Sequence, residues 1–132
     1  MPLTPETAQR MILASQAKAR EIGVAVSTAI VDADGRLFAF GRMDGAHWIS
    51  VEVAQAKAYS AALLRRDGPE LQQMAPASIA ALSAMHGKAV MPAGSATALR
   101  EGTTVIGGIG CSGATDDQDG ECAHAARDAY AQ

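Results

Sequence analysis

Arg42-Met43-Asp44-Gly45-Ala46-His47 crowds a cation, a thioether, a carboxylate and an imidazole around one glycine. Those side chains cover ion pairing, soft-metal ligation and proton transfer. Any of the three histidines, His47, His86 and His124, is able to serve as an axial haem ligand, with Met43 or a cysteine as the alternative. His47 stands out because it adjoins the charged corner. Asp44, His47 and Glu52 are the acid/base candidates, with Arg42 and Lys57 to bind an anionic substrate. Glu52 and Lys57 are five residues apart and so project from different faces of a helix. Lys57 lies within Ala54-Gln55-Ala56-Lys57-Ala58. There it is either solvated or turned back toward Asp44 or a ligand carboxylate. Zinc is a poor reading, because no two histidines stand at i, i+4 and Cys122-x-His124 is too short to define a tetrahedral site.

Gly108-Ile109-Gly110-Cys111-Ser112-Gly113 matches G-x-G-x-x-G between an expected strand and an expected helix. A dinucleotide site is nevertheless rejected, since the chain ends before a second strand of the required βαβ unit. The glycines are better explained by a backbone, or a ligand, that must approach the strand closely. Ser112 sits one place too late for a nucleophile elbow. At the mouth of the last helix it marks instead a place where free amides favour a carboxylate or propionate.

The elements that carry these groups follow from periodicity and punctuation. Thr4-Pro5-Glu6 opens a helix, Ala8, Met11, Ile12, Ser15, Ala19 and Ile22 form its buried stripe, and Gly23 ends it. Runs at 24–31 and 37–42 flank Asp34-Gly35, which reads as a two-residue hairpin turn. An alanine-rich helix is expected from about Trp48 to Arg66, and one or two short helices between Glu70 and Met85. Extended runs are expected at Lys88 to Met91, Thr97 to Arg100 and Thr103 to Cys111. Thr115-Asp116-Asp117-Gln118 is a capping box for the final helix. The resulting order, α-β-β-α-(α)-β-β-β-α, favours an α+β layer with an antiparallel sheet.

The 132 residues fit one domain spanning 1–132, and with only two Phe, two Tyr and one Trp its core must be packed by small aliphatic side chains and Met. A net charge of −3 with dispersed Lys and Arg argues against a nucleic-acid partner. No apolar run approaches the roughly 18 residues that span a bilayer, so no membrane partner is expected. Two cysteines make no disulfide framework and no secretory signal is legible, so a cytoplasmic location is expected.

Four segments occur in order: Val31-Asp32-Ala33-Asp34-Gly35, Arg42-Met43-Asp44-Gly45-Ala46, Ala54-Gln55-Ala56-Lys57-Ala58, and Ile106 to Gly113 with Asp119 beyond. Together they resemble the GlcG/HbpS-type family, which is related to the C-terminal domain of PduO-type proteins. The resemblance implies a five-stranded antiparallel sheet flanked by helices, a homo-oligomer, and an association with haem that extends in some relatives to haem breakdown. By position it makes Arg42, Asp44, Lys57, Ser112 and Asp119 the candidate pocket residues, and Met43 and Gly110 beside them complete the ligand-binding candidates. Many such proteins sit beside catabolic enzymes, and the fold alone does not assign a reaction.

Two functions follow as expectations. One is a small-ligand-binding protein that holds haem or a related tetrapyrrole, with His47 on the iron and Arg42 or Lys57 on the propionates. The other is a cofactor-independent isomerase, hydratase or lyase acting on a small carboxylate in a catabolic pathway. Both require the Arg42-Met43-Asp44 corner and Lys57 to converge on one cavity near the last glycine-rich strand.

Overall fold

In this computed structural model, which describes residues 3–131, the first helix, α1 (Pro5–Ile22), is capped by the Thr4 side chain and closed by Gly23 at φ 78°. Its buried stripe is the expected one at Ala8, Met11, Ile12, Ser15 and Ala19. The hairpin strands are β1 (Ser27–Asp32) and β2 (Leu37–Arg42). Their connection is a three-residue loop where a two-residue turn was expected. Asp32 N–H donates to the Arg36 carbonyl at 2.9 Å and Gly35 N–H to the Asp32 carbonyl at 3.0 Å, with Gly35 left-handed at φ 79°. The Asp32 carboxylate accepts from the amides of Asp34 and Arg36 and so holds the longer loop closed.

After the corner come α2 (Ser50–Leu64), the short α3 (Gly68–Leu71) and α4 (Pro76–His86). Then follow β3 (Thr97–Glu101), β4 (Thr104–Ser112) and α5 (Asp116–Tyr130). The sheet is antiparallel in the order β2-β1-β4-β3. It has four strands among the described residues, which corrects the expected five. The run at 88–91 is not a strand because its backbone donors go to hydroxyls: Val90 N–H to Ser83 Oγ and Met91 N–H to Ser60 Oγ. Its Val90 side chain is buried with Tyr59 and Ile79.

The two faces of the sheet are covered differently. Ile30, Ile109, Cys111 and Leu99 pack against Met11, Ile12, Ala123 and Ala126 of α1 and α5. On the opposite face Ala29 and Val31 meet Ala54, Ala58 and Ala62 of α2. Here the glycine-rich strand finds its explanation. A Cβ added at Gly108 would lie 2.1 Å from the Ala58 carbonyl oxygen, and one at Gly110 would lie 2.1 Å from that of Ala54. The helix backbone therefore rests directly on the strand backbone. No described helix is long and apolar enough to cross a membrane.

Candidate functional site

The corner after β2 is tied down from three directions. Met43 N–H bonds to the Val26 carbonyl, and the Met43 thioether accepts from Val26 N–H at 3.5 Å and packs on the α1/α5 core. Arg42 Nη2 donates to the Ala46 carbonyl at 3.1 Å, closing the turn whose Gly45 sits at φ 88°. Below it, Ser50 Oγ donates to the His47 carbonyl, and Ser27 Oγ lies 2.8 Å from Ser50 Oγ. A hydroxyl has one proton, so Ser27 donates to Ser50 and the relay anchors His47 to β1. Ser27 and Ser50 were not singled out in the sequence. Nothing in their local spacing marks them, since each is a small hydroxyl residue in a segment of mixed polarity.

His47 and Ser112 come together on a hollow of about 630 Å³, whose wall includes Ile49, Ser50, Thr115 and Gln118. His47 is exposed, and beside it Trp48 is 74% and Ile49 45% exposed. The remaining sequence candidates do not line this hollow, so the expected convergence of Arg42, Met43, Asp44 and Lys57 on one cavity is not what the structure shows. Asp44 is exposed on the corner. Gly110 lies beneath α2. Glu52 lines a separate cavity with Tyr59 and Lys88, so His47 and Glu52 do not face one substrate.

Lys57 is buried, and it turns neither to solvent nor to Asp44. Its Nζ donates to the Cys111 carbonyl and to Asp119 Oδ2, both at 2.9 Å. Burial pushes the Asp119 carboxyl above its ordinary value, and the Lys57 ammonium opposes that push. Asp119 Oδ1 accepts from Ala114 N–H, so the pair braces the loop that forms one wall of the hollow. The mouth of α5 is correspondingly less open to an anion than expected. Ala114 N–H serves Asp119, Thr115 N–H serves Gln118 Oε1, and Asp116 and Asp117 occupy the first turn. Neither cysteine is poised for a metal: both are buried and free, with the thiols pushed by burial to about 12 for Cys111 and about 11 for Cys122.

A family model described as haem degrading protein HbpS-like matches residues 3–128. An uncharacterized 15.0 kDa protein from the dhaT-dhaS intergenic region of Citrobacter freundii is 32% identical over 132 residues, covering 98% of this chain and 93% of that protein. The crystal structure of Klebsiella pneumoniae protein ORFY superposes with a TM-score of 0.89 at 31% identity, covering 98% of this chain and 90% of that one. A PduOC:heme complex superposes with a TM-score of 0.87 at 28% identity, covering 98% and 95%.

Proposed function

We propose a function from one premise, that this chain belongs to the HbpS-like family of haem-degrading proteins: it binds haem in the hollow between the corner and the end of β4. The observation that carries the reading is the exposed His47 at the rim of a hollow of about 630 Å³, flanked by the exposed apolar side chains of Trp48 and Ile49. The likeness to a haem complex over nearly the whole chain supports it.

The residues present suit the group. The Ser27–Ser50 relay fixes the His47 backbone carbonyl, His47 would offer an imidazole nitrogen to the iron, and Trp48 and Ile49 would offer apolar area to a macrocycle. Arg42 does not line the hollow, but its guanidinium is held at the Ala46 carbonyl beside His47 and is otherwise exposed, which leaves it able to meet a propionate that extends past the rim. Lys57 is committed to Asp119, and its part is to hold the loop from Ser112 to Thr115 in place. Bound haem would supply an iron centre with its redox chemistry, and the protein contributes binding, orientation and access. A homo-oligomer, a cytoplasmic location and service beside a catabolic pathway accompany this reading. The open edge of β2, with Leu37 50% and Phe38 38% exposed, supports the first of these.

Titration with haemin tests the proposal. A shifted Soret band saturating at one haem per chain is expected, and His47→Ala should weaken binding by about tenfold or more, equivalent to at least 1.4 kcal/mol. No spectral shift at stoichiometric haemin would overturn it.

A further inference from the structure

On the outer flank of α2, away from His47, lies a half-open cavity of about 310 Å³. Val31, Ala56 and Ala89 give it an apolar floor, and Tyr59, Lys88 and Glu52 bring the functional groups. Tyr59 is 7% exposed as a residue, and its hydroxyl, which takes no hydrogen bond among the described residues, is open to solvent. Gly35 presses on the same ring: a Cβ there would lie 2.8 Å from Tyr59 Cδ1. The β1–β2 loop therefore fixes the ring as one wall. Lys88 Nζ stands 4.9 Å from the centroid of that ring. Among the described residues it forms no salt bridge with a carboxylate. An ammonium held only by an aromatic face is held weakly and is available to an anion.

We propose that this cavity is a second ligand site, taking a small monocarboxylate whose head is bound by the Lys88 ammonium and the Tyr59 hydroxyl and whose short apolar body rests on Val31, Ala56 and Ala89. The chemistry decides each part. A donor hydroxyl and an ammonium beside an apolar floor match a carboxylate with a hydrocarbon body. Glu52 places a negative charge on the same wall, which disfavours a second carboxylate on the ligand. The volume falls at the lower end of ligand pockets, about 300–1,000 Å³, which suits a small ligand rather than a macrocycle. The site shares no lining residue with the hollow at His47, and its existence does not depend on haem binding.

Amide chemical-shift titration of the full chain with butyrate, succinate and butylamine as probes tests this. Butyrate should give saturable shifts at Ala56 and Ala89, with succinate and butylamine binding about tenfold more weakly. Lys88→Gln and Tyr59→Phe should each weaken butyrate about fivefold or more, and Ala56→Leu should abolish the response by filling the space. Should Ala56→Leu fail to fold, Lys88→Gln at the surface still decides the matter. Absence of saturable shifts at these amides, equal responses to butyrate and butylamine, or unchanged butyrate binding in Lys88→Gln overturns the proposal. The haemin titration of Lys88→Gln should match that of the parent chain, which separates failure here from failure of the haem reading.

Discussion

Lys57 has exchanged water for two partners, the Cys111 carbonyl and the Asp119 carboxylate, inside a wall built from α2, β4 and α5. A pair like this is costly to break from one side, because the survivor is left as an uncompensated buried charge. Lys57→Ala should therefore destabilise the protein by about 3–5 kcal/mol in urea denaturation. Replacing both partners by apolar residues, Lys57→Met with Asp119→Leu, should recover much of that loss. The pH dependence carries a definite sign. Burial already raises the folded carboxyl of Asp119, and removing the ammonium raises it further, so the variant's native state favours the protonated acid. Its stability is then greatest below the ordinary carboxylate range and falls as pH rises, and the deficit against the parent should be smaller at pH 4 than at pH 7. A deficit independent of pH would show that Asp119 does not depend on Lys57 for its charge. The alanine-rich surroundings of Lys57 already signalled a lysine with little exposed helix face to occupy. Its partner lies 62 residues away, a separation that helical spacing does not encode.

At the scale of elements, α2 and β4 touch backbone to backbone, and two glycines of one chain make opposite demands. Gly110→Ala would set a Cβ 2.1 Å from the Ala54 carbonyl oxygen, which cannot give way as a flexible side chain would. It should cost about 1–3 kcal/mol or more. Gly120, inside α5, has only ordinary neighbours, with Ser95 Cβ 3.6 Å from an added Cβ. Gly120→Ala should stabilise by up to about 1 kcal/mol through helix propensity. Thermal or urea unfolding of the two variants reads both signs, and two destabilised variants would contradict this account of the packing. The close approach was legible because successive glycines in an apolar strand have few other uses, and α1, β2 and α5 were legible from caps, turn residues and periodicity. The expected fifth strand was not, because 88–91 has strand-like composition but its amides are claimed by Ser60 and Ser83. Likewise the three-residue hairpin loop depends on the Asp32 carboxylate turning back onto Asp34 and Arg36.

For the whole molecule, the free thiols report on the integrity of the core layer between the sheet and the α1/α5 pair. Cys111 and Cys122 are 0% exposed, so the native protein should be inert to Ellman's reagent at pH 8 and release two equivalents when unfolded. Their folded thiols lie at about 12 and about 11, above the ordinary 9.0, so the unfolded chain ionises first. The stability gained by keeping them neutral is complete below pH 9 and is lost as pH rises through 9 toward 11 and 12. Replacing both with Ala or Val should flatten that alkaline limb in urea titrations at pH 8 to 11. Rapid native labelling would mean that the core around β4 opens readily. By itself the sequence determined the α+β layering, the helix limits set by Thr4, Gly23 and Thr115, the close-packed glycine strand and the corner that carries His47, because each is written in local spacing and local stereochemistry. Only the tertiary structure decided that His47 shares a hollow with Ser112, that Lys57 and Asp119 pair behind its wall, and that Glu52 belongs with Tyr59 and Lys88. Those groupings join residues distant along the chain, and they arise from how far α2 can settle onto β4 and which way each buried charge must turn to find a partner.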